Sequence, residues 1–226
     1  MRTSRARQAN GAGDTKGGEP PAGGGRQWAR ADATRRALLN AALEVFADRG
    51  YADAGIAEIV ERSGISVGSL YHHYGGKAGL YVALWEDLSA EQEASAAQAV
   101  SAARRESAAR GDREPDPIAL FIAGARAYLR VCWERREAAR LFHGGEGPSG
   151  SSLMRRSRAQ HWIAQNTKLL RGSAGGDPAS RAEQVLSLVL TTVIGEAGRE
   201  IATAEDEDEA TEIIEEVCRI LIRLAR

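Results

Sequence analysis

The chain has 226 residues, 30 basic and 31 acidic side chains, a formal net charge of −1 and 43% hydrophobic residues. That is enough for one sizeable core, or for a small head and a larger body. The near-neutral balance excludes a coat protein that holds nucleic acid by bulk charge, so any attraction to DNA must be local.

Residues 1–33 carry six basic side chains (Arg2, Arg5, Arg7, Lys16, Arg26, Arg30) against three acidic ones (Asp14, Glu19, Asp32), with GGEPPAGGG at 17–25 and almost no apolar residue before Trp28. Such a stretch cannot bury enough surface to fold by itself, and it reads as a disordered basic arm able to lie along phosphates or in a minor groove. Thr34 then opens RRALLNAALEVFADRG, with Leu38, Leu39, Ala42, Leu43 and Phe46 at helical spacing and Gly50 as the stop.

Residues 56–74 read IAEIVERSGISVGSLYHHY, two short apolar-periodic segments hinged at Gly64. Ile59, Ser63, Ile65 and Leu70 fall where the two helices of a helix-turn-helix face each other, and Val67, Gly68, Tyr71 and His72 fall on the outward side of the second. Gly64 suits a left-handed backbone after a helix, and Ser66 suits an N-cap, so the second helix is expected to begin sharply there. After Gly75 and Gly76, Lys77 opens a further helix with Leu80, Leu84 and Leu88 on one stripe and Trp85 beside them.

The order TRRALLNAALEVFADRGY, IAEIVERSGIS, GSLYHHY and a lysine three residues on resembles the amino-terminal DNA-binding domain of the TetR family of bacterial one-component transcriptional regulators. The resemblance covers Thr34 to about Leu88. It implies that Ser69 and Tyr71 donate hydroxyls to phosphates, that Val67 and Gly68, beside Ser66 at the helix start, approach base edges, and that His73 reaches a phosphate or base edge with His72 at a more variable neighbouring position. Lys77, at a helix N-terminus and one of three lysines in the chain, is expected to clamp a phosphate. Successive helical residues point about 100° apart, so His72 and His73 are not expected to share a metal ion.

Some positions depart from the family pattern. Ala54 and Gly55 stand where hydroxyl residues usually cap the second helix, and the paired Gly75 and Gly76 suggest a looser hinge.

Beyond residue 88 only helical patterns follow, interrupted at 111–117, 143–151, 172–178 and 205–209. The expected fold is all-α: an arm (1–33), a three-helix helix-turn-helix head (34–79) and a larger ligand-binding and dimerisation body (80–226). The last two helices carry stripes wider than one small domain needs, Val185, Leu186, Val189, Val193 and Ile194 in one and Ile213, Ile214, Val217, Cys218, Ile220, Leu221 and Leu224 in the other, which suits a homodimer built on a four-helix bundle. Aromatic and polar residues of the middle helices suggest a small-molecule pocket, with Tyr128 and Trp162 as lining and His161 and Gln165 as hydrogen-bonding groups.

The function implied is a DNA-binding transcriptional regulator, a repressor released from an inverted-repeat operator by a small-molecule ligand. The alternative is a helical ligand- or protein-binding dimer that has lost specific DNA binding. The chain has no HExxH or P-loop, so neither an enzyme nor a cofactor is expected. Cys132 and Cys218 are isolated and read as reduced core or interface thiols. Without an apolar amino-terminal stretch, and with VLSLVL at 185–190 too short to span a bilayer, the protein is expected to be cytoplasmic and independent of membranes.

Overall fold

The computed structural model describes residues 24–144, 146–172 and 178–225. Among the described residues the secondary structure is helical throughout, in the order α1 (Gly24–Asp53), α2 (Ile56–Ser63), α3 (Val67–Tyr74), α4 (Lys77–Ala109), α5 (Pro117–Glu134), α6 (Arg136–His143), α7 (Ser151–Arg171), α8 (Arg181–Ile201) and α9 (Glu207–Ala225). No helix among them is long and apolar enough to cross a membrane.

The first helix begins ten residues before Thr34, so residues 24–33 are helical rather than part of an arm, and residues 1–23 lie outside the described residues. Alanine and arginine favour the helix locally, the Thr34 hydroxyl donates to the Arg30 carbonyl, and Arg36 pairs with Asp32 one turn away. No core is needed for this extension, since Trp28 is 80% exposed. Gly50 ends the regular geometry as expected, with φ 76° and ψ 165°.

Capping follows local chemistry. Asp116 accepts from the Ile118 amide ahead of a proline at the first position of α5, and Ser180 and Glu183 form a reciprocal capping box on α8. One break had no punctuation in the sequence: α5 and α6 are separated at Arg135 (φ −111°, ψ 33°) within WERREA, which holds neither glycine nor proline.

Two cores organise the chain. The first joins Leu38, Phe46, Ile59 and Leu70 of the head to Leu80, Tyr81 and Leu84 of α4 and Phe142 of α6, all nearly inaccessible to water. Each such side chain contributes roughly 1.5–3 kcal/mol on burial, so head and body share one hydrophobic unit. Tyr81 is its centre, with ring centroids 6.4 Å from Phe46, 5.1 Å from Tyr51 and 5.0 Å from Phe142, all edge-on. The second core packs Phe121, Leu129 and Cys132 of α5 against Leu190 and Ile201 of α8 and Ile214 and Leu221 of α9.

Candidate nucleic-acid interface and ligand cavity

The head is built by turn chemistry. Gly64 closes α2 in the left-handed region (φ 66°), its amide donating to the Val60 carbonyl at 3.0 Å. Ser63 fixes the turn from within, because its hydroxyl donates to the Val60 carbonyl while accepting from the Ile65 amide. Ser66 then caps α3 by accepting from the Ser69 amide at 3.3 Å. Ile59 and Leu70 meet at zero exposure between the helices.

The opposite face of α3 is open. Ser66, Gly68 and His72 are exposed, Val67 and Tyr71 are 52% and 53% exposed, and Ser69 and His73 are half-buried at the edges. Large apolar side chains left in water on a regular helix end are the atypical feature here, and they are the residues that the sequence places outward. Gly55 caps α2 without a side-chain bond, as its residue type dictates.

Lys77 does not behave as expected. Its ammonium donates to the carbonyls of Tyr51 (2.8 Å), Ala52 (3.0 Å) and Ala54 (3.0 Å) and lies 4.7 Å from the centre of the Tyr51 ring. All three protons are thereby used inside the head, and no donor remains for a phosphate. The cause is the geometry of α1: its last turn ends in carbonyls without helical partners, and a cation satisfies them. The glycine pair is likewise a tight turn and not a loose hinge. Gly75 (φ 70°) donates to the Tyr71 carbonyl at 2.9 Å, and Gly76 (φ 128°) lies so close to the Tyr71 ring that a Cβ there would sit 3.4 Å from Cε1. At Gly79 a Cβ would fall 1.6 Å from the Tyr74 carbonyl oxygen, so α3 and α4 abut through bare backbone. Gly76 therefore positions Tyr71, and Gly79 lets α4 abut the end of α3.

Residues 38–84 match the profile of the bacterial regulatory proteins of the tetR family. Residues 38–84 thus form an amino-terminal domain of the tetR type. The chain is 47% identical over 73 residues to the HTH-type transcriptional activator FasR of Mycolicibacterium smegmatis, covering 31% of this chain and 33% of that protein. It also superposes on a TetR-family transcriptional regulator of Pectobacterium atrosepticum with a TM-score of 0.54 at 26% identity, covering 87% of this chain and 94% of the other. A TetR-family regulator structure from Syntrophomonas wolfei gives a TM-score of 0.64 at 18% identity, covering 86% and 95%, which bears on the fold alone. The chain spans a third or less of the length of the curated relatives it matches.

In the body a cavity of about 1090 Å³ lies between α4, α5, α7 and α8. Tyr128, Trp162 and Gln165 line it. His161 is not among the lining residues: its exposed imidazole meets Glu93 Oε1 at 3.2 Å. The sequence reading missed Gln92, Glu93, Arg155, Arg158 and Asn166, all of which line the cavity. The available signal was the spacing Arg155, Arg158, Trp162, which puts three side chains on one helix face.

Electrostatics in the cavity are set by burial and pairing. Burial opposes the charge of Glu93, but bonds from Gln165, His161 and Arg158 outweigh it and hold the carboxyl below its ordinary range. Burial, reinforced by Arg199, keeps the His143 imidazole below its usual pKa. Beneath the cavity, burial pushes the Cys132 thiol up to about 12, and Gln92 Nε2 approaches its sulfur at 3.5 Å, so it is a packed thiol and not a thiolate.

The stripes of α8 and α9 divide in two. Leu190, Ile194, Ile214, Cys218 and Leu221 enter the second core, while Val185, Leu188, Val189, Ile220 and Leu224 remain 39–48% exposed.

Proposed function

We propose that this protein is a DNA-binding transcriptional regulator, a repressor that leaves an inverted-repeat operator when a small molecule fills the body cavity. The observation that carries this reading is the free outer face of α3, where Val67, Gly68, Tyr71 and His72 stand in water on a capped, internally packed helix. Val67 would meet a thymine methyl in the major groove, Gly68 would admit close approach, and the hydroxyls of Ser66, Ser69 and Tyr71 would bind phosphates with His72 and His73 beside them. Lys77 acts through the head instead, by tying α4 to the end of α1.

A ligand can act only by binding the DNA-competent and incompetent states with different affinity. Helix α4 supplies the link, since it lines the cavity from Trp85 to Arg104, about 28 Å of helix rise, and starts at Lys77 under the head. Tilting α4 would carry the Lys77 anchor with it and change the spacing of two recognition helices. Those two helices require a homodimer, for which the exposed apolar face of α8 and α9 is the natural contact. Half-sites would then lie about 34–36 Å apart, or a multiple. Such a protein works in the cytoplasm, beside its DNA, without cofactor or catalytic step.

The test is fluorescence anisotropy of the full chain with DNA fragments flanking its own gene, at low and physiological salt. Saturable binding to one inverted repeat, weakened by salt, is expected. A folded dimer that binds no DNA at either salt would overturn the reading in favour of an adaptor without operator binding. Since the Mycolicibacterium relative is named an activator, transcription from the bound promoter decides the sign of regulation.

A further inference from the structure

The cavity holds two buried hydrogen-bond donors that no group among the described residues satisfies: Arg155 Nη1 and Arg158 Nε. Both arginines line the cavity from α7, three residues apart and hence on one face. Arg158 is oriented rather than loose. Its Nη1 donates to Glu93 Oε2 at 3.0 Å, its Nη2 to the Ser89 carbonyl at 2.5 Å, and its guanidinium lies 5.2 Å from the centre of the Trp162 ring. Leaving a buried charged donor without an acceptor is costly, so an unfilled pair of this kind marks a place for an acceptor from outside.

The surrounding charge has the same sign. Besides these two, Arg104, Lys168 and Arg171 line the cavity, against the carboxylates Glu93 and Glu114. Glu93 is already taken by Arg158, Gln165 and His161. Between Arg155 at one end of α7 and Arg171 at the other, the walls include Ala96, Val100, Leu120, Phe121, Trp162 and Leu169, which offer dispersion and no acceptor. That stretch of α7 rises about 24 Å, long enough for an extended chain.

We propose that the cavity takes an amphipathic organic acid, its carboxylate accepting from Arg155 Nη1 and Arg158 Nε at the end nearer the head and its apolar body lying along α4, α5 and α7. This rests on the reading of the cavity as the effector site and names the class of effector. The acid end is where binding can be felt by the head. Arg155 stands beside the Tyr81 phenol, which donates to the Glu146 carbonyl at 3.1 Å, and the Glu146 carboxylate lies 3.1 Å from where a Cβ on Gly50 would be. Drawing Arg155 onto a ligand therefore pulls on the contact that seats residues 146–150 against the end of α1.

The probes are laurate, dodecanol and dodecyltrimethylammonium, all below their aggregation concentrations, titrated into the full-length protein with tryptophan fluorescence and calorimetry as readouts. Laurate is expected to bind once per chain, at least about tenfold tighter than the alcohol of the same length, with the cation weakest. In the Arg155→Met variant the preference for laurate over dodecanol should collapse toward one while dodecanol still binds, which also shows that the variant is folded. Equal binding of acid and alcohol by the unaltered protein, stronger binding of the cation, or no binding of any probe overturns the proposal. So does a preference that survives Arg155→Met but is lost in Lys168→Met, which would put the acid at the far end. Operator anisotropy in the same titrations separates the two readings: laurate that binds as described without changing DNA affinity leaves the ligand class standing and removes the effector role.

Discussion

Lys77 Nζ lies 2.8 Å from the Tyr51 carbonyl oxygen and 4.7 Å from the centre of the Tyr51 ring, so one ammonium caps the end of α1 and packs on the aromatic cluster that joins head to body. A residue that looks like a phosphate ligand is instead a strut. Replacing Lys77 by Met should lower stability by about 2 kcal/mol, because three carbonyls lose a charged donor. Chemical denaturation reads this directly. The slope of log affinity for DNA against log salt should stay as it was; a slope reduced by about one would return Lys77 to the phosphate.

Tyr71 offers a hydroxyl on the open face of α3, held by the ring contact with Gly76. Tyr71→Phe should weaken binding to operator and to unrelated DNA alike, by about fivefold for one lost hydrogen bond of about 1 kcal/mol. Anisotropy on both sequences checks it, and a loss confined to the operator would make Tyr71 a base reader.

Gly79→Ala is the smallest substitution expected to disable the head. The new methyl meets the Tyr74 carbonyl oxygen, a backbone atom that cannot rotate away, so α3 must shift off α4. The cost should reach roughly 3 kcal/mol or more, with operator affinity falling beyond the effect of Tyr71→Phe. Thermal unfolding together with anisotropy measures both, and an unperturbed variant would mean that the α3–α4 junction is looser than described.

His143 gives the fold an acid limit. Its folded pKa lies below the ordinary value of 6.5 because burial, then Arg199, disfavour the imidazolium. The unfolded chain therefore binds the proton more readily, and the stabilisation is complete above 6.5 and lost as pH falls through the lowered folded value. Unfolding free energy should decline over that window, and His143→Gln should flatten the decline. An unchanged pH profile in the variant would assign the acid sensitivity elsewhere.

Leu188 and Leu224 are exposed at 47% each on α8 and α9. Leu188→Arg should turn a dimer into a folded monomer, seen as a halved mass by light scattering with helical content retained, and should cost operator affinity far more than nonspecific affinity. A dimer that survives would move the interface to another face.

Local rules made much of this protein legible from its sequence. The helix-turn-helix emerged because spacing at three and four residues, the left-handed demand met by Gly64 and the capping oxygen of Ser66 all act within a few residues. The outward face of α3 and the paired stripes of α8 and α9 followed from the same periodicity. Tertiary structure alone decided where Lys77 spends its protons, since its acceptors lie 23 to 26 residues away. It also decided that His161 pairs with Glu93 and does not itself line the cavity, and that Arg155 and Arg158 carry the donors left bare inside it. A side chain's partner depends on which distant helix its face meets, and the Glu93 and Arg158 pair, 65 residues apart, forms only once α4 and α7 pack.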